Sequence, residues 1–197
     1  MKYILQLILF FSLTSLFSQK INVENIEILR DSFGVPHIYA KTDAELAYGL
    51  AWAHSEDDFK TIQEAYLAGN GLLSKHIGLR GAPADFLTQL IRSDHIVDSL
   101  YHTIDKNFLK VIEGYAQGIN RFAELNPDQI LVKKLFPITT KKIIRYSFLQ
   151  LFISSEGDDF IRTIVENTTR KISFLDNDKL GSNLFAFSTN ITKTGET

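Results

Sequence analysis

Between residues 107 and 125, six large apolar side chains (Phe108, Val111, Ile112, Tyr115, Ile119 and Phe122) recur at 3.6-residue spacing. A stripe of that kind forms one face of a helix, and it must be covered by other parts of the chain. Covering elements are present. Phe86, Leu90, Val97, Leu100 and Ile104 lie near one face of a segment predicted as a single helix over 85–104. Ile143, Ile144, Ser147, Phe148, Leu151 and Phe152 follow Thr139 and Thr140, either of which suits a helix cap, and a last helix is expected over 158–172. With 45% hydrophobic residues in 197, the chain can bury a core and does not have a disordered composition.

Upstream of the helices the period changes. Val23, Ile26 and Ile28 alternate with polar residues, 30–34 reads as a turn, and 35–40 as a second short strand, together a β-hairpin. Thr42-Asp43-Ala44-Glu45 has capping-box spacing, so a long helix is expected from there to about Leu67. Gly69-Asn70-Gly71 ends it, and the glycine-rich stretch 78–83 reads as a loop. From Asn183 the alternation returns: Leu184, Ala186 and Ser188 oppose Phe185, Phe187 and Thr189, which predicts a strand opening directly after Gly181-Ser182. That strand would end at Thr197 with its edge unpaired, so the chain is expected to be a truncated piece of a longer precursor.

Charge and composition remove several function classes. The 21 basic and 23 acidic residues leave a net charge of −2, and the basic pairs Lys133-Lys134 and Lys141-Lys142 are short and separated, so nothing points to a nucleic-acid partner. There is no cysteine, which excludes disulfides, thiolate chemistry and attachment through a lipidated cysteine. Lys2, the apolar run 3–17 and Ser18 make an export signal with cleavage expected after Ser18. That run is too short for the ~20 residues a bilayer span needs. Asp94, Asp98 and His102 share a helix face at spacings of four, but without a His-Glu-x-x-His pattern they read as a solvated face, and no metal ligand is assigned. His37 reads as a hydrogen-bonded structural residue, and the sequons at Asn167 and Asn190 matter only in a eukaryotic secretory route.

Two separated segments resemble the penicillin acylase family, which includes cephalosporin and acyl-homoserine-lactone acylases. The first runs Ile28-Leu29-Arg30-Asp31-Ser32-Phe33-Gly34-Val35-Pro36-His37-Ile38-Tyr39-Ala40 and continues through Tyr48-Gly49-Leu50-Ala51-Trp52-Ala53-His54-Ser55-Glu56-Asp57-Asp58 to Gly71-Leu72-Leu73-Ser74-Lys75-His76-Ile77-Gly78. Many penicillin acylases carry Gln-Asp-Arg where this chain has Ser55-Glu56-Asp57-Asp58. The acidic version is more similar to the homoserine-lactone and cephalosporin branch. The second segment is Leu180-Gly181-Ser182-Asn183, similar to the family's cleavage junction. Gly-Ser-Asn alone is uninformative, and its position about 150 residues after the Arg-Asp segment gives it weight.

The resemblance implies an α+β N-terminal-nucleophile hydrolase. Its complete form is an αββα sandwich, to which this chain would contribute a mainly helical portion with an N-terminal hairpin and a C-terminal strand. It implies a signal peptide over 1–18, an α-subunit-like portion over 19–181 and the truncated start of a catalytic β-subunit over 182–197. Ser182 is then the catalytic nucleophile and Gly181-Ser182 the autocleavage bond. A serine needs a base, and no histidine here sits in a Gly-x-Ser-x-Gly setting, whereas a free α-amine titrates near ~7.7–8.0 and can serve. The family's oxyanion donors lie further downstream, so this stretch alone is expected to be inactive. No cofactor is required. The resemblance allows a structural calcium, and Glu156, Asp158 and Asp159 lie in the corresponding region without matching a motif. The expected partners are a small N-acyl amide and the remaining β-subunit, with no nucleic acid and no stable membrane insertion, in the periplasm or outside the cell. The competing reading is a secreted helical binding or interaction module without chemistry.

Overall fold

A computed structural model describes residues 21–155 and residue 157. Strands β1 (Glu27–Arg30) and β2 (Pro36–Tyr39) pair antiparallel, Glu27 opposite Tyr39 and Arg30 opposite Pro36. The turn is set by one side chain. Asp31 accepts hydrogen bonds from the Phe33 and Val35 amides at 2.9 and 3.0 Å, while Gly34 takes φ +83°, a region that favours glycine.

Helix α1 (Asp43–Gly69) begins at the expected capping box: Glu45 N donates to Thr42 Oγ1 at 3.3 Å and Thr42 N to Glu45 Oε2 at 3.1 Å. The other oxygen of Glu45 accepts from Asn25 Nδ2 at 2.7 Å, which fastens the segment before the hairpin to the helix start. The helix is not continuous. Asp58 leaves helical geometry (φ −158°, ψ 75°) and its carboxylate accepts from Thr61 N at 3.0 Å, so it caps a second helical segment in the middle of α1.

Past Gly71, the predicted loop is more structured than expected. A four-residue helix, α2 (Ser74–Ile77), leads through a 3-10 turn into α3 (Ala82–Leu90). Buried Asp85 organises it by accepting from Leu73 N at 2.7 Å, Ser74 N at 2.9 Å and the Ser74 hydroxyl. The single helix expected over 85–104 is two. Helix α3 stops at Leu90, Arg92 adopts a left-handed conformation (φ 52°), and α4 (Ser93–Leu100) starts afresh. Helix α5 (Lys106–Leu125) is capped by Asp105, and α6 (Thr140–Ser154) by Thr139, whose hydroxyl accepts from Lys142 N.

The core lies between α1, α5, α6 and the 126–138 connection. Leu67, Ile119 and Leu135 are wholly buried, and Phe122 meets Trp52 and Phe59 edge-on at 5.4 and 5.0 Å. Each large apolar side chain buried this way contributes about 1.5–3 kcal/mol. Polar clamps fix the connection: buried Gln63 donates to Gln129 O and accepts from Leu131 N, while Asn120 brackets Ile138 at 2.7 and 2.8 Å. Helices α1 and α5 touch through their backbones. A Cβ on Gly114 would overlap the Ala44 carbonyl, and one on Gly118 would lie 2.5 Å from Tyr48 O. No helix among the described residues is long and apolar enough to cross a membrane. The described part is thus mainly helical with one antiparallel hairpin, as the sequence predicts.

Candidate functional site

The structure brings together the two halves of the family-like N-terminal segment. Arg30, at the end of β1, reaches across to α1, where its Nη2 lies 3.3 Å from Glu56 and 2.8 Å from Asp57. Its Nη1 donates to Gly34 O at 2.8 Å, so the same guanidinium holds both the turn and the helix. The two acids favour its charged form, Asp57 first. Trp52 Nε1 donates to Glu56 at 2.7 Å, one turn earlier on the helix. His37 Nε2 faces Asp31 at 3.4 Å in the hairpin, consistent with a hydrogen-bonded structural residue. The Asp31 carboxyl is held below the usual carboxylate range, chiefly by the Val35 amide. These groups bind one another, and they are partners for a fold rather than an open reaction centre.

A second cluster lies where α1, α5 and α6 converge, around an apolar groove of about 270 Å³ whose lining includes Ala47, Leu50, Tyr66, Ile112, Tyr115 and Ile143. The Tyr66 and Tyr115 hydroxyls are hydrogen-bonded, and Tyr115 continues to His54 Nδ1 at 3.0 Å. Tyr146 of α6 packs edge-on against Tyr66 at 5.3 Å. Burial pushes the Tyr66 phenol far upward and the Tyr115 phenol up as well, so both are neutral donors at working pH. The stretch from Tyr146 to Phe152 presents mixed exposure: Leu149 is buried, Phe148 and Phe152 are half-buried, and Leu151 is exposed.

Of the acidic residues considered as metal ligands, Asp98 is paired with Lys141 at 2.8 Å and Arg145 at 3.3 Å, where it ties α4 to α6. His102 falls beyond the end of α4, which stops at Leu100, so the single face that would have held all three does not form. Among the described residues no group of three His, Asp or Glu could hold a metal. His76 faces Glu64 at 3.2 Å. Gly181 and Ser182 lie outside the described residues, as do Glu156, Asp158, Asp159, the sequons, the export signal, the 158–172 helix and the strand after Asn183. Sequence reasoning missed the Tyr66–Tyr115–His54 set and the capping role of Asp85. Tyr115 shows in the sequence only as part of the apolar stripe, Tyr66 lies on a different helix, and an isolated aspartate has no spacing signature.

Comparisons with known proteins agree with this picture. The model of the family described as penicillin amidase matches residues 25–197. An acyl-homoserine lactone acylase PvdQ of Pseudomonas syringae pv. syringae is 26% identical over 132 residues, 60% of this chain and 17% of its own length. A penicillin G acylase of Escherichia coli is 25% identical over 162 residues, 78% of this chain and 19% of its own. The chain therefore spans under a fifth of the length of these curated relatives. A solved thermostable penicillin G acylase from Alcaligenes faecalis shares the fold at a TM-score of 0.56 with 16% identity, over 83% of this chain and 98% of that one. With a family match that runs from the hairpin to Thr197 and takes in both resembling segments, the chain belongs to the penicillin amidase family.

Proposed function

We propose that this chain is the leading part of an exported, self-processing amidohydrolase that removes an acyl group from a secondary amide. The observation that carries the reading is the family match over 25–197, a span that runs through the Arg30–Asp58 segment and on past Gly181 and Ser182. Chain lengths support processing: this chain covers 98% of one solved penicillin G acylase chain but 19% of a curated penicillin G acylase. The division proposed is a signal peptide over 1–18, a helical α-subunit over 19–181 and a catalytic portion opening at Ser182.

In this reading Ser182 Oγ attacks the Gly181 carbonyl, the acyl group moves from nitrogen to oxygen, and water hydrolyses the ester. The products are a Gly181 carboxylate and a free Ser182 amine. Glycine suits the position because no Cβ obstructs the approach. The freed amine, through one water, then takes the Oγ proton as Oγ attacks a substrate amide. The leaving amine departs protonated, and water resolves the acyl-enzyme. Oxyanion donors come from further along the precursor, so residues 1–197 alone are inactive.

N-acyl-homoserine lactones are the first substrate class, β-lactam side-chain amides the second and acylated peptides the third. The Tyr146–Phe152 stretch is the part of this chain that would help wall an acyl pocket. No cofactor is needed for the chemistry, and a calcium would be structural. Mass spectrometry of the exported full-length product should find two chains, one beginning at Gln19 and the other at Ser182, with Ser182→Ala remaining a single chain. An intact but active native product would overturn the mechanism, and an intact inactive one would favour a non-catalytic helical binding module.

A further inference from the structure

The hairpin carries apolar residues on both of its faces, and among the described residues only one face is covered. Successive strand residues point to opposite sides. Ile28, Arg30 and Ile38 turn toward α1, where the ends of both isoleucines lie over Gly49 and Arg30 reaches Glu56 and Asp57. The other face takes Glu27, Leu29 and Asp31, opposite Tyr39, His37 and Val35. The Asp31 amide donates to Val35 O at 3.2 Å, which carries the register one pair past Arg30 and Pro36. On this outer face Leu29, Val35 and Tyr39 are 51%, 52% and 57% exposed, and Phe33 at the tip of the turn is 89% exposed. His37 Nε2 lies 3.4 Å from Asp31 beside them.

An antiparallel sheet with one wet face alternates apolar residues inside with polar residues outside. This hairpin breaks that rule on its outer face. A two-stranded sheet is also marginal by itself, and its edges invite further pairing. Exposed apolar side chains grouped around a polar pair are the mark of an interaction surface. The choice of partner rests on the proposed precursor: the chain matches 17% and 19% of the lengths of two curated relatives, so most of the polypeptide is left to cover the face. We infer that the outer face of the hairpin is the seat of the catalytic portion beyond residue 197, which closes over Leu29, Phe33, Val35 and Tyr39 with apolar side chains and sets a hydrogen-bonding group against the His37–Asp31 pair. A lipid surface is a poorer match, because Glu27 and Asp31 would bring negative charge against anionic headgroups.

The test is photo-cross-linking of the full-length exported protein with p-benzoylphenylalanine in place of Phe33, a change that keeps an aromatic ring at the tip. Expected is an adduct to a peptide from beyond residue 197, found by mass spectrometry, with isotope-labelled protein mixed in to separate contacts within one molecule from contacts between copies. An adduct to residues 156–197, to a second copy or to lipid, or no adduct at all, would overturn the inference. Leu29→Ser supplies a measurement without the added group: in the full-length protein it should lower the melting temperature, whereas an unchanged midpoint would mean that the face is open to solvent and would count against it. The same spectra report whether the product is one chain or two. An unprocessed protein that gives the expected adduct upholds the interface and sinks the processing mechanism, and a processed protein without the adduct does the reverse.

Discussion

Helix α1 is gripped in two places by different means. At the hairpin, Arg30 bridges to Glu56 and Asp57 through side chains that are between a third and just over half exposed, and Gly49 admits the ends of Ile26 and Ile38. At the seam with α5, Gly114 and Gly118 bring backbone against backbone, with Ile119 and Phe122 buried alongside. The first grip carries most of the residues that resemble the family; the second carries most of the burial. Exposed ion pairs contribute little and are screened by salt, while a well-packed seam yields to nothing larger than hydrogen. In this protein, then, the signature residues orient an element that other residues stabilise.

Substitutions can break that contrast in order of severity. Gly114→Ala places a Cβ against the main chain of Ala44, which cannot move aside, so a loss of about 3 kcal/mol or more is expected, seen as a sharply lowered melting temperature. Gly49→Ala meets Ile38 Cγ2 at 2.7 Å and Ile26 Cγ2 at 2.9 Å, both side-chain ends that can shift, and it gains helix propensity. Its cost should be about 1 kcal/mol or less, and a cost equal to that of Gly114→Ala would erase the distinction drawn between the two regions. Acid should loosen the hairpin before the seam. The Asp31 carboxyl is depressed in the folded state, so its stabilisation is present above the ordinary aspartate value near ~3.9 and fades as pH falls through the lower folded value. Hydrogen exchange of the Val35 amide below about pH 4, compared with pH 6, should show this loss. The smallest change is expected from Arg30→Ala, a slight fall in melting temperature at low salt that disappears in high salt. A large, salt-independent fall would mean that the hairpin grip is structural in its own right.

Much of the scaffold is legible in the sequence where one local interaction decides it. Thr42 and Glu45 announce the start of α1, Thr139 is one of the two threonines expected to cap α6, and the stripe from Phe108 to Phe122 is helix α5. Two breaks were not legible. Arg92 turns left-handed without the glycine or asparagine that would advertise it, and Asp58 caps a new segment from within a polar run, His54 to Asp58, that carries no glycine or proline to mark a break. Gly114 and Gly118 read as weak points of a helix when taken alone, and only the approach of α1 reveals their use. At the candidate site, the pairing of Arg30 with Glu56 and Asp57 joins residues 26 and 27 positions apart, a distance that no periodicity encodes. Ser182 is proposed only from the family resemblance and chain order, and it lies outside the described residues.

The interruption at Asp58 gives α1 two tasks that can vary apart. Its first segment, up to Asp57, carries the hairpin and the glycine seam, whereas the second, ending in Tyr66 and Gly69, seats Tyr146 and the rest of α6. Divergence among relatives could therefore re-tilt the aromatic helix, and with it whatever that helix faces, while leaving the motif-bearing half in register.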